Sequence, residues 1–239
     1  MAQIQRAGHG EVGHTHSDVS GGWLRPAVFG AMDGLVTNIA LVAGVGGGGA
    51  GTEVIVLSGV AGLVAGAFSM ALGEYASVDT QNSAVRAEVA VERAELRDNP
   101  EAEQAELADM YVAMGLTRAT AERVAAEVHA DPELAVRVHV TQELGVDPDE
   151  QPSPWTAAVS SFLCFAVGAL VPLAPFLLGL TSLVAGLLVG AVGLFLTGAL
   201  VARWTTRPWW RNGLRQLGFG ALAAGATFLV GSLVGVAAH

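Results

Sequence analysis

Five apolar stretches, at about 26–46, 54–75, 155–178, 180–202 and 213–237, constrain this chain more than any other feature. Each is close to the ~20 residues that an α-helix needs to cross the hydrocarbon core of a bilayer. Within lipid the backbone must satisfy its own N–H and C=O groups, so stretches of this length fold as helices. The expected architecture is therefore an all-α membrane protein with five transmembrane helices. Gly62-x-x-x-Gly66 and Gly186-x-x-x-Gly190 suit close helix approach. The third and fourth stretches are expected to divide tightly around Pro172, Pro175 and Gly179. The single cysteine, Cys164, lies inside an apolar run and gives no disulfide framework or thiolate metal site.

The basic residues set the expected orientation. The chain has no lysine, and its arginines cluster at one end of the spans. Arg203, Arg207, Arg211 and Arg215 fall in the connection between spans four and five. Arg25 precedes span one, and Arg6 lies further back. The connections 47–53 and 173–181 hold no basic residue. The positive-inside rule then puts the N-terminus, the long segment between spans two and three, and the 203–215 loop in the cytoplasm, with the C-terminus outside. The first 22 residues are polar and lack a basic segment followed by a short apolar core, so they do not read as a secretory signal peptide. A bacterial cell membrane is expected, because the chain is compact and shows no organellar targeting segment. Four regions follow: a flexible His-containing tail (1–24), spans one and two (25–75), an acidic helical domain (76–154), and spans three to five (155–239).

The charge is concentrated in that domain. Residues 79–150 hold 17 Asp/Glu and 6 Arg, a balance of −11 within a chain whose net charge is −10. Such a surface attracts cations and argues against nucleic-acid binding. Its helices are clearly punctuated. The first, from about Tyr75 to Arg97, continues span two until Asp98-Asn99-Pro100 stops it. A second runs from Glu101 to Met114 and ends at Gly115. A third is N-capped by Thr117 and runs to about Ala130. The fourth is opened by Asp131-Pro132 and closed after Leu144 by Gly145. Apolar stripes are thin: Leu107, Tyr111 and Met114 form one, and Leu134, Val138 and Val128 form others.

Glu92/Glu95 and Glu103/Glu106 are i,i+3 pairs, which share a helix face. Paired carboxylates at this spacing suit a divalent cation. His139 and Glu143 are i,i+4 on the fourth helix. An imidazole beside carboxylates suits Fe, Mn, Co or Zn better than Mg or Ca. Exposed acidic helix faces are common, and spacing alone does not separate a site from ordinary surface ion pairing among residues 86–97. Glu-x-x-His, the ligand motif of ferritin-type di-iron bundles, does not occur within the insert. His9, His14 and His16 in the tail are weak additional candidates for metal capture.

Ionisable residues within the spans are expected to be functional, because burying them in lipid is costly. Asp33 stands eight residues beyond Arg25, or ~12 Å along a helix, with Thr37 and Asn38 extending a polar stripe. Met70 and Glu74 are i,i+4 near the end of span two, at an expected depth near Asp33. Together they form a mixed hard and soft set for a transition metal.

These residues carry a resemblance. Gly-Gly-Trp-Leu-Arg at 21–25, Phe-Gly-Ala-Met-Asp-Gly-Leu-Val at 29–36 and Ser-Met-Ala-Leu-Gly-Glu-Tyr-Ala-Ser at 69–77 resemble the vacuolar iron transporter family. So do Glu-x-x-Glu at 92–95 and 103–106 and Glu-Leu-Gly at 143–145. The resemblance extends from about Gly21 to the C-terminus. It implies a homodimeric exporter of Fe2+, in some members Mn2+, coupled to inward proton movement. It further implies that Glu92, Glu95, Glu103, Glu106 and Glu143 are cytoplasmic metal ligands, and that Asp33 and Met70, followed by Glu74, line the translocation path. Some members have a Met pair where this chain has His139 and Val140, and some have acidic residues where it has Gly22 and Pro26. Selectivity among Fe2+, Mn2+, Co2+ and Zn2+ is left open. The alternatives are a membrane-anchored iron buffer or sensor, and a ferroxidase.

Overall fold

The computed structural model describes residues 22–204 and 208–237. The histidines of the N-terminal tail, Arg6, Arg207 and the C-terminal His239 lie outside the described residues. The described chain is helical: α1 (Leu24–Gly47), α2 (Thr52–Asp98), α3 (Pro100–Ala113), α4 (Arg118–His129), α5 (Pro132–Leu144), α6 (Pro154–Leu177), α7 (Leu183–Val201) and α8 (Trp209–Ala237), with a short 3-10 turn at Ala202–Trp204. Five of these, α1, α2, α6, α7 and α8, are long and apolar enough to cross a bilayer. The expected five-span, all-helical class is what the structure has, and the chain is a multi-pass membrane protein.

Two boundaries differ from expectation. Pro172 and Pro175 lie inside α6 rather than in the turn after it. Each proline removes one helical hydrogen bond, which a membrane helix tolerates when neighbours cover the freed groups; Pro172 is fully buried. The turn itself is made at Gly179, whose φ of 88° is left-handed. Finally, α8 begins at Trp209, about one turn early, so Arg211 and Arg215 belong to its first turns rather than to a loop. Arg211 lies 5.1 Å from the centroid of the Trp210 ring.

Helix α1 is central and touches α2, α6, α7 and α8. Its crossing with α6 depends on small residues. A Cβ on Gly34 would strike the carbonyl oxygen of Phe165, and one on Gly168 would strike that of Ala31. Close approach of this kind is how membrane helices gain packing without a hydrophobic driving force. Gly34→Leu is expected to destabilise the fold by about 1–3 kcal/mol or to separate the two helices. Gly225→Leu, where a Cβ meets nothing within 4 Å, serves as the control. Thermal unfolding in detergent reads the difference.

Asn38 ties this core together. It is completely buried, and its Nδ2 donates to the carbonyls of Gly59 (3.2 Å) on α2 and Ala169 (2.7 Å) on α6. Around it sit two apolar clusters: Leu35, Ile39 and Leu194, and Val42, Ile55, Leu173 and Phe176.

α2 is one unbroken helix of 47 residues, as expected from span two running into the insert. It packs on α6 within the bundle and on α3 and α5 beyond it. The core of the insert is Leu107, Ala108, Ala121 and Ala125, bordered by Tyr111, Val112, Leu116, Val128 and Val138. Met114 and Leu134, expected in the apolar stripes, are exposed instead.

Candidate metal centre

Local sequence places the functional side chains. α2 ends at Asn99, whose N–H donates to the Glu95 carbonyl (2.7 Å), and Pro100 starts α3 at once. The reversal brings Glu103, in the first turn of α3, back beside Glu92 of α2. A carboxylate in a first turn also meets the positive end of the helix dipole. Asp131 caps α5 as expected, accepting from the N–H groups of Glu133 (3.0 Å) and Leu134 (3.3 Å). Gly145, at φ 68°, ends that helix in the left-handed conformation. Thr117 precedes α4 as expected but makes no side-chain cap; its hydroxyl pairs with that of Thr120 at 2.9 Å. Arg93 on α2 and Glu133 on α5 pair at 2.7 Å across the helices. Being exposed, that pair adds register more than stability.

The result is a cluster around His139, which is completely buried. Its Nδ1 lies 3.2 Å from Glu92 Oε1, 3.2 Å from Glu143 Oε1 and 3.7 Å from Glu103 Oε2. Its Nε2 lies 3.1 Å from Nε2 of His129, at the end of α4. One donor atom from each of Glu92, Glu103, His139 and Glu143 falls within 4.8 Å of the others. An ion held at about 2.0–2.2 Å from each donor needs donors no more than ~4.4 Å apart, so a slight contraction closes the set. Glu92 Oε1 is buried without a hydrogen-bond partner, and a bound cation would satisfy it. One imidazole with three carboxylates suits first-row transition metals.

The electrostatics are those of an overcrowded anionic site. Burial, then Glu143, Glu103 and Glu106, push the Glu92 carboxyl up to about 7, against an opposing pull from His139. Burial and Glu106 raise Glu103 as well. Burial, then His139, lower His129. A raised carboxyl keeps its proton in the fold over a range where the unfolded chain has released it. The stability Glu92 contributes is thus present below its ordinary 4.5 and lost as pH rises through about 7. Metal-free protein is expected to melt at lower temperature as pH climbs across that window, and Glu92→Gln should flatten the trend. Added divalent metal should reverse it above pH ~7, where the carboxylates are already free of protons. Thermal unfolding at fixed chelator and at fixed metal measures both.

Glu95 and Glu106 stand outside the four-donor cluster. Both are exposed, and Glu95 accepts from Asn99 Nδ2 at 2.9 Å. They line a cavity of about 220 Å³ with Glu88, Glu92, Glu103 and Glu143. Glu88 and His129 are absent from the sequence-derived set. Glu88 shared the i,i+4,i+7 face of Glu92 and Glu95, which was the available signal. His129 had none, since its partner is on another helix.

The residues singled out within the spans lie at different levels. Asp33 accepts from Thr37 Oγ1 at 3.4 Å. Met70 packs beside Ala67, Phe165 and Ala169. Glu74 is buried, with its Oε2 3.8 Å from Arg25 Nη1. The contacts Arg25–Glu74 and Asn38–Gly59 fix the antiparallel register of α1 and α2. On that register Asp33 stands opposite about Ala65 or Gly66. Glu74 is thus ~12 Å from the level of Asp33, with Met70 between them. The expected common depth is corrected to a ladder, because each helix turn shifts level by ~5.4 Å.

Residues 24–232 match the pattern that defines the VIT family. The chain is 35% identical over 200 residues to a vacuolar iron transporter of Acanthamoeba castellanii, covering 78% of this chain and 73% of that protein. It is 28% identical over 228 residues to vacuolar iron transporter 1 of Arabidopsis thaliana, covering 92% and 90%. It is 32% identical over 225 residues to vacuolar iron transporter homolog 1 of rice, Oryza sativa subsp. japonica, covering 90% and 75%.

Proposed function

The chain belongs to the VIT family, and we propose that it is an iron transporter that exports Fe2+ from the cytoplasm in exchange for protons, with Mn2+ as a further substrate. The family is one of transporters rather than enzymes, which sets the ferroxidase alternative aside. The observation that carries the reading is the cluster of buried Glu92, Glu103 and His139 with the more exposed Glu143, on an insert that shares one helix with the membrane bundle. The cluster collects metal, with Glu95 and Glu106 drawing cations to its mouth. The ion then passes to Asp33 and Met70, with Glu74 between insert and path.

Coupling follows from carboxylate chemistry. A carboxylate holds a cation or a proton, so protonation of Asp33 from the more acidic side releases the metal there. The arginines near Arg25 and Arg203–Arg215 support a cytoplasmic insert and an outside C-terminus in a bacterial cell membrane. The working unit is a homodimer.

Reconstitution tests this. With Fe2+ entry and lumenal pH followed by separate dyes under an imposed proton gradient, metal flux and proton flux are expected to appear together. Repeating with Mn2+, Co2+ and Zn2+ ranks the substrates. Metal binding without flux, in intact and correctly oriented protein, would overturn transport in favour of an anchored buffer or sensor.

A further inference from the structure

His139 has two ring nitrogens with opposite surroundings. Nδ1 faces the carboxylates of Glu92, Glu143 and Glu103, and Nε2 faces His129 Nε2 at 3.1 Å. The two rings meet edge to face, with centroids 5.2 Å apart. A ring nitrogen binds a metal only through its lone pair. If Nδ1 ligates, the proton of the neutral ring must sit on Nε2, and that N–H is buried and needs an acceptor. The atom in front of it is His129 Nε2.

We infer that His129 is a positioning residue for the metal centre: it holds the His139 ring in place and accepts from Nε2–H, leaving the Nδ1 lone pair directed at the metal. The inference rests on the metal-site reading above. It assigns His129 no contact with the ion. A second imidazole suits the task because it serves both forms of the site. Without metal, His139 Nδ1–H donates to Glu143 Oε1, and Nε2 then accepts from the neutral Nε2–H tautomer of His129. With metal at Nδ1, the direction of that hydrogen bond reverses. A phenylalanine fills similar space but neither donates nor accepts. A glutamine amide does both.

The consequence is one of selectivity. An imidazole nitrogen adds affinity for late first-row ions and little for Ca2+, which takes oxygen ligands. Losing the support of His129 therefore weakens Co2+ while sparing Ca2+. A mere loss of packing weakens both.

The test uses full-length protein in detergent, with Co2+ and Ca2+ as probes in His129→Phe, His129→Gln and His139→Leu. Loss of an outer partner of a ligating histidine lowers metal affinity ~10–100-fold. His129→Phe is expected to lower Co2+ affinity by that factor with Ca2+ affinity unchanged, and His129→Gln to restore most of the Co2+ affinity. Parallel loss of Co2+ and Ca2+ in His129→Phe, or equal losses in the Phe and Gln variants, would overturn the inference. So would an unchanged His129→Phe beside a weakened His139→Leu, which leaves the metal-site reading standing. If His139→Leu also binds Co2+ like the parent, the metal-site reading falls and this inference with it.

Discussion

Replacing Asp33 with alanine is expected to reduce Fe2+ flux in proteoliposomes to the level of empty vesicles, while the protein still binds metal at its insert. Asp33 sits within α1 and accepts a hydrogen bond from Thr37 Oγ1 at 3.4 Å. A carboxylate in this setting is costly to keep unless it works. Its two states, proton-bound and metal-bound, are those an exchanger needs. Asp33→Asn tests the division of roles, because it keeps the shape and the oxygen but loses the titration. It should fail in proton-coupled uptake as completely as alanine. Retained proton-coupled flux in either variant would remove Asp33 from the mechanism. Lost metal binding at the insert would show that the effect is not local.

The second large effect is expected at His139. His139→Leu should weaken binding of Fe2+ or Co2+ at the insert by about 100-fold or more, since removing only the outer partner of such a ligand costs ~10–100-fold. The side chain is wholly buried among three carboxylates. Its loss removes a ligand and also the one group in that cluster that pulls the Glu92 carboxyl down. The carboxylates left behind repel one another, so the metal-free insert should keep its protons to higher pH. Binding titrations with Co2+ at two pH values would show both. Affinity equal to the parent at neutral pH would place the metal elsewhere.

Much of this was legible in the sequence, for identifiable reasons. A membrane span is a statement about length and apolarity, and both are written linearly. Helix ends were legible where the residue type dictates the backbone, as at Pro100, Asp131-Pro132 and Gly145. Glu92, Glu103, His139 and Glu143 were legible as candidates because helical spacing puts ligands on faces. The i,i+3 rule did not separate Glu92 from Glu95 or Glu103 from Glu106. Three residues turn a helix by ~300°, and the remaining angle decides which member of each pair is buried. Pairings between helices were not legible at all. Asn38 reads as a polar residue in an apolar run, and nothing local says that it bridges α1, α2 and α6. His129 meets His139 only because the turn at Ala130 and Asp131 brings the end of α4 against the middle of α5.

The unbroken α2 has a mechanical meaning. From Glu74 to Asp98 it contains neither glycine nor proline, the usual points at which a helix bends. Glu74 and Glu92 are then two marks ~27 Å apart on a stiff lever. If metal draws the Glu92 end sideways by ~2 Å, the lever swings through roughly 4–5° over that length. Beyond a fulcrum at the Arg25–Glu74 contact, Met70 and the residues opposite Asp33 must travel the other way by a smaller distance. Loading the insert would thus register inside the bilayer as a tilt, readable as a change in distance between spin labels on α2 and α6.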